Sequence, residues 1–96
     1  MFENIYYYNG KIIFNDLDKD TILFLKKMEI SEKDLLFIEY SNGFSLDVDW
    51  NNGVFFVSII QYDDWDNRLV KRKYKNIDEL EVAIKNCIAE IQTMIQ

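Results

Sequence analysis

The chain has 96 residues, too few for two separate hydrophobic cores, so residues 1–96 are predicted to form one domain. Hydrophobic residues make up 49% of the chain and no apolar run exceeds four residues, which excludes both intrinsic disorder and a membrane-spanning helix. With no His and a single Cys, the usual catalytic triads and zinc sites are excluded, so we expect neither an enzyme nor a cofactor. Acidic residues outnumber basic ones by 17 to 11, and the net charge of −6 disfavours nucleic acid and favours a basic partner.

The N-terminal third of the chain is predicted to contain a hairpin followed by one further element. Asn9-Gly10 separates the runs Ile5 to Tyr8 and Lys11 to Phe14, and Asn-Gly is favoured in two-residue turns because both positions need positive φ. The next segment, Asp18 to Met28, is either a short helix or a strand, since its apolar residues fit both spacings.

An antiparallel meander is predicted in the middle of the chain. Its four strands are Leu35 to Tyr40, Phe44 to Trp50, Val54 to Tyr62 and Arg68 to Lys75. A three-residue turn at Ser41-Asn42-Gly43 pairs Ile38 with Leu46 and Leu36 with Val48. The register of Val54 to Tyr62 stays open, because this strand is apolar on both faces.

The segment from Asn76 to Gln96 is predicted to be an amphipathic helix. Its apolar residues share one helical face: Ile77, Leu80, Ile84, Cys87, Ile88, Ile91 and Ile95. Because Cys87 lies on this face without a basic neighbour, we expect a buried, unreactive thiol. The predicted fold class is therefore α+β, an antiparallel sheet with a C-terminal helix packed on one face.

Two carboxylates are predicted on the sheet face opposite to the helix. In the expected register Leu46 and Val48 point to the core, so Asp47 and Asp49 point away from it. Paired carboxylates can act in acid–base catalysis, but the sequence carries no sign of a pocket, and we expect a solvated acidic face. Asp47 and Asp49 are candidate residues for binding a protein partner.

A second candidate site is the acidic turn that holds Trp65. Asp63, Asp64 and Asp66 are typical of a solvated turn rather than of a metal site. Trp65 has no apolar neighbours within this turn, so an exposed ring surrounded by charge is expected, as in a binding hot spot. The alternative is that the ring folds back over the edge of the sheet.

The last predicted strand is basic. If residues 63–66 form a four-residue loop, Tyr62 pairs with Asn67, Ser58 with Lys71 and Phe56 with Lys73. Lysines on an edge strand protect it from aggregation. Provided that Val54 to Tyr62 is in suitable register, Lys71 and Lys73 would also partly neutralise the face of Asp47 and Asp49. We therefore do not expect nucleic acid as a direct partner.

The whole-chain pattern resembles that of bacterial immunity proteins of contact-dependent and polymorphic toxin systems. The resemblance rests on the hairpin, the meander through Asn42-Gly43 and Asn52-Gly53, the acidic turn Tyr62-Asp63-Asp64-Trp65-Asp66 and the closing helix. It implies tight one-to-one binding to a cognate toxin, often a basic nuclease. It transfers no functional residue to a position in this chain.

Two other functions fit the same composition. One is a phage-encoded inhibitor that mimics nucleic acid, such as an anti-CRISPR protein, and the other is a homo-oligomeric structural or regulatory protein. The state expected is a monomer or a homodimer. The first residues lack the pattern of a signal peptide, so the expected location is cytoplasmic, with no membrane partner.

Overall fold

The computed structural model describes Phe2 and residues 5–94, and it has five strands and two α-helices in this range. The elements are β1 (Lys11–Asn15), α1 (Lys19–Lys27), β2 (Glu32–Glu39), β3 (Phe44–Asn51), β4 (Val54–Gln61), β5 (Val70–Tyr74) and α2 (Ile77–Thr93). The strands form one antiparallel sheet in the order β1-β2-β3-β4-β5, which confirms the predicted α+β class. The parts of the predictions that fall on Met1, Glu3, Asn4, Ile95 and Gln96 lie outside the described residues.

The predicted N-terminal hairpin is wrong. Residues 5–7 are not in a strand, and β1 pairs with β2 instead. A turn does form, but it lies one residue earlier in the chain than the predicted turn at Asn9-Gly10. The Gly10 amide donates to the Tyr7 carbonyl oxygen (3.2 Å), and Tyr8 has a positive φ of 56°. Tertiary packing overrides the turn signal, because Ile5 is buried in the core and the Tyr40 hydroxyl donates to the Tyr7 carbonyl oxygen (3.1 Å).

The segment that the sequence left open between helix and strand is helix α1. Asp18 is its N-cap and accepts a hydrogen bond from the Thr21 amide (2.8 Å), which satisfies one of the free donors of the first turn. Ile22 and Leu25 are fully buried, whereas Phe24 between them is exposed. This three-residue spacing of buried side chains is that of a helix.

The central register is the one predicted, with Ile38 opposite Leu46 and Leu36 opposite Val48. The turn between these strands depends on Gly43, whose φ of +89° disfavours a side chain and whose missing Cβ leaves room for the ring of Tyr62. Each apolar residue of β3 that faces the helices is buried, so this strand is the centre of the core.

Helix α2 packs across β3, β4 and β5 on the core face of the sheet. Asn76 caps it by accepting from the Glu79 amide (2.9 Å), and Ile84, Ile88 and Ile91 are buried, as predicted. Cys87 is also buried, and burial raises the pKa of its thiol to about 11, which leaves it protonated at neutral pH.

The two edge strands differ in how they end the sheet. The pairing of β1 is irregular between Ile12 and Phe14, a β-bulge on the outermost strand. On the opposite edge, β5 exposes three consecutive basic residues, Lys71, Arg72 and Lys73, and Arg72 forms an ion pair with Glu90 of α2 (3.2 Å).

Replacing Ile88 with Ala should lower the free energy of unfolding by about 2 to 5 kcal/mol, because the side chain is 1% exposed and leaves a cavity under α2. Val82→Ala is the matched control on the same helix, since Val82 is 57% exposed and its truncation should change stability by less than about 0.5 kcal/mol. Denaturant unfolding measures both values. Equal effects would contradict the packing of this helix on the sheet.

Candidate functional site

The candidate site lies on the sheet face that points away from the helices, called here the second face. Cross-strand pairing aligns its side chains in two rows. One row is Phe37, Asp47, Ser58 and Lys71, and the other is Asp34, Asp49, Phe56 and Lys73. The register of β4, which the sequence left open, meets the condition for placing Lys71 and Lys73 on the Asp47 and Asp49 face.

Three carboxylates meet on the second face. Oxygens of Asp34, Asp47 and Asp49 lie within 4.8 Å of one another. Asp34 is exposed, Asp49 is half-buried and Asp47 is only 4% exposed. Like charges this close repel strongly when they are shielded from water, so the cluster favours retention of a proton.

The environment raises the pKa of both strand β3 carboxyls. Burial is the main cause for Asp47, followed by the neighbouring charge of Asp49, and together they raise its pKa to about 7. Burial also raises the pKa of Asp49, although the charges of Arg68 and Lys71 act in the opposite direction. Near neutral pH these two carboxyls therefore share a proton for part of the time, with a hydrogen bond between them.

The chain between β4 and β5, residues 62–69, folds back onto the second face, where Asp47 and Ser58 are buried. The predicted four-residue loop is wrong: regular pairing stops at Ile59 opposite Val70, and Tyr62 does not pair with Asn67. The predicted pairs of Ser58 with Lys71 and Phe56 with Lys73 are confirmed. Tyr62 and Asp63 have positive φ (52° and 61°), which turns the chain out of the strand and towards the sheet.

Trp65 lies on the second face, where its apolar neighbour comes from outside the acidic turn. Its ring stacks on that of Phe37 (centroids 5.6 Å apart), and Phe37 stacks on Phe14 (6.3 Å). The alternative that the ring folds back is the arrangement observed. Trp65 nevertheless remains 43% exposed, as the sequence predicted for this ring.

Arg68 fixes the loop to the floor of the second face. Its guanidinium lies over the Trp65 ring (5.5 Å from the centroid), and Nη1 donates to Ser58 Oγ (2.8 Å). Nε donates to the Trp65 carbonyl oxygen (3.4 Å). The charge of Arg68 also lowers the pKa values of Asp47 and Asp49 against the effect of burial, so it is the internal counterion of the cluster.

These groups enclose a pocket of about 290 Å³. It is lined by Phe14, Asp34, Phe37, Asp47, Asp49, Trp65 and Arg68. The lining combines three aromatic rings, three carboxylates and the guanidinium of Arg68. Such a lining is suited to a cation that also has a flat or apolar part.

The structure divides the predicted site residues into two groups. Asp47, Asp49 and Trp65 come together in the pocket, whereas Asp63, Asp64 and Asp66 are exposed in the loop and do not line it. The expectation of a solvated face at Asp47 is wrong, because the loop covers it. The prediction of a solvated acidic turn at residues 63–66 is confirmed.

Sequence reasoning missed four residues of the pocket: Phe14, Asp34, Phe37 and Arg68. The position of Phe37 follows from the predicted register, since pairing Ile38 with Leu46 places Phe37 opposite Asp47. Asp34 was missed because the predicted strand began at Leu35, whereas β2 begins at Glu32. The reach of Arg68 could not be read from the sequence, since it depends on the path of the loop.

A divalent cation prefers oxygen ligands, and the three carboxylates are the part of the described chain able to hold one.

Comparisons of the chain with protein-family models, with curated proteins and with solved structures gave no match. Over the described residues, neither helix is long and apolar enough to cross a bilayer.

The raised pKa of Asp47 predicts a characteristic dependence of stability on pH. The folded chain keeps a proton up to about pH 7, whereas the unfolded chain releases it near pH 4. Stability from this proton is therefore fully present below about pH 4 and is lost as the pH rises to about 7. Between pH 5 and pH 8 the wild type should lose at least about 1 kcal/mol more unfolding free energy than Asp47→Asn.

Urea unfolding at several pH values measures this difference. Asp63→Asn is the matched control, since it removes the same charge from an exposed position and should leave the pH dependence of the wild type in place. If Asp47→Asn and the wild type lose stability in parallel from pH 5 to pH 8, the carboxyl does not hold a proton in the folded chain.

Proposed function

We propose that this protein is a small acidic binding domain that neutralises a cognate basic toxin in the cytoplasm by direct contact, as an immunity protein does. The observation that carries the proposal is the half-exposed Trp65 ring, held on Phe37 beside three clustered carboxylates. The binding surface consists of Trp65, the pocket beneath it and the exposed carboxylates of Asp63, Asp64 and Asp66.

The position of Trp65 supports a role as an anchor. Tryptophan is enriched among the few residues that supply most of the energy of protein interfaces. The Phe37 stack and the Arg68 contact already restrict the ring in the free protein. Less conformational entropy is then lost on binding, which favours high affinity.

The buried carboxylates also support a binding role. Asp47 and Asp49 weaken the fold at neutral pH because their charged forms are disfavoured. The charge of Arg68 offsets this only in part, and neither carboxylate forms a direct ion pair with a Lys or Arg within the described residues. Groups with perturbed pKa values that reduce stability concentrate at functional sites. A basic partner would supply the direct ion pair that these carboxylates lack.

The three loop carboxylates are suited to guiding a basic partner towards this surface. Asp63, Asp64 and Asp66 are exposed and extend the negative charge of the pocket outwards, in a chain with a net charge of −6. Opposite charges accelerate diffusional encounter and help to fix the orientation of docking. A nucleic-acid mimic is less favoured, because Lys71 and Lys73 interrupt the acidic face.

The proposal is tested by capturing the partner and measuring what the partner does. The tagged chain is used to isolate binding proteins from the source organism, and each captured protein is expressed in a laboratory strain with and without the chain. We expect one captured protein to be basic, to stop growth on its own and to be harmless when the chain is co-expressed. Captured proteins that are harmless alone, or toxic in the presence of the chain, would contradict the proposal.

Trp65→Ala separates binding from folding. Loss of the Phe37 stack should lower the unfolding free energy by about 0.5 to 1.5 kcal/mol, which leaves the domain folded. Affinity for the captured partner should fall at least about thirtyfold, equivalent to about 2 kcal/mol. Both quantities are measured on the same purified variant.

Tyr6→Ala is the matched control, since Tyr6 is an exposed aromatic (69%) far from the pocket lining and should leave affinity unchanged. The anchor role is rejected if Trp65→Ala loses stability while its affinity stays within about threefold of the wild type.

Charge reversal tests the steering role of the loop. Replacing Asp63, Asp64 and Asp66 with Lys should slow association with the captured basic partner at low salt, and high salt should reduce the difference between variant and wild type. Stopped-flow measurement of the association rate checks this, and an unchanged rate at low ionic strength would exclude the loop from the docking path.

A further inference from the structure

We propose that the pocket on the second face is the receptor for an arginine side chain of the partner, whose guanidinium packs beside Trp65 and pairs with Asp34, Asp47 and Asp49. This inference rests on the proposed function and adds to it the chemistry of the central contact. Two observations besides the negative charge of the cluster point to a guanidinium.

The first observation is that the site already accepts a guanidinium from the chain itself. Arg68 stacks over the Trp65 ring at 5.5 Å and donates to Ser58 Oγ at 2.8 Å. Its hydrogen bonds go to Ser58 and Trp65 and none reaches a carboxylate among the described residues. The surface of the pocket is thus compatible with a planar cation, while the carboxylates keep their capacity to bind a second one.

The second observation is the lack of a donor for Asp47. Its carboxylate is at the buried floor of the pocket, yet within the described range its hydrogen-bond partner is the carboxyl of Asp49. Two carboxylates can bond to each other only when they share a proton. In the fully ionised state the Asp47 carboxylate, which lines the pocket, therefore has to accept from water or from a donor of the partner.

Arginine fits this pocket better than a bare metal ion does. Three rings, those of Phe14, Phe37 and Trp65, form a continuous row on one side, and aromatic faces attract guanidinium groups in stacked arrangements. The fork of five N–H donors can serve more than one carboxylate at once. A divalent metal ion would instead lie close to the positive charge of Arg68 and would gain nothing from the rings.

A short peptide probes the pocket without the toxin. Acetyl-Arg-Arg-Arg-amide is titrated into the protein, and the indole N–H signals are followed by NMR. Trp50 is the internal reference, because its indole Nε1 donates to the Ile30 carbonyl oxygen (2.7 Å) inside the core. We expect a saturable shift at Trp65, no shift at Trp50 and no response to the uncharged tri-citrulline peptide.

Two double variants with the same change in net charge locate the binding. Asp34→Asn with Asp47→Asn should weaken peptide binding at least about tenfold, whereas Asp20→Asn with Asp78→Asn, at exposed positions outside the binding surface, should weaken it less than about threefold. If the pocket variant does not give the folded Trp50 signal, Asp34→Asn is compared with Asp20→Asn, since both residues are exposed. Equal weakening in the two variants would show general charge attraction and would overturn the proposal.

Titration with MgCl₂ and CaCl₂ tests the alternative occupant. A saturable shift of Trp65 with either salt, in the absence of one with the arginine peptide, would assign the pocket to a metal ion and overturn the proposal. The outcome is independent of the growth experiment. Peptide binding without protection from a toxin would reject immunity and keep the arginine site, and protection without peptide binding would do the reverse.

Discussion

The architecture depends on the two-residue alternation of β3 in the middle of the sheet. Its apolar residues must face the helices to form the core, and this requirement decides which face of the sheet each β3 side chain occupies. The residues between them, Asp47 and Asp49, are then forced together on the opposite face. The core and the carboxylate cluster are therefore two consequences of one strand, and neither can move without the other.

The fold covers this carboxylate cluster instead of leaving it in contact with water. The chain between β4 and β5 lies over the carboxylates with Trp65 and Arg68, which removes solvent from Asp47 and raises its pKa. Solvated carboxylates would have been less harmful to stability. A loop that places an aromatic ring over buried charge makes physical sense if the energy is recovered on binding a cation.

Local patterns were sufficient to predict the strands from β2 to β5, the pairing of β2 with β3, the direction of each β3 side chain and the face of α2, because the core-facing positions of β3 alternate with the others. The register of β4 on β3 stayed open, because β4 is apolar on both faces. Local patterns failed at both ends of this region. The Asn9-Gly10 turn was displaced because Ile5 packs into the core, and the loop after Tyr62 opened because Trp65 packs on Phe37 of β2. Contacts between residues far apart in the chain decide these segments, and periodicity carries no information about them.

The two ends of the open sheet have a consequence for how the protein behaves when it is concentrated. A free strand is a template on which another chain can add, the first step towards fibrous aggregates. At one edge of this sheet, the irregular pairing of β1 distorts the free strand. At the opposite edge, β5 repels the same strand of a second copy through its exposed positive charges, Lys71, Arg72 and Lys73. Both ends of the sheet are thereby protected from adding further strands, so extension of the sheet into a polymer is disfavoured even at high concentration.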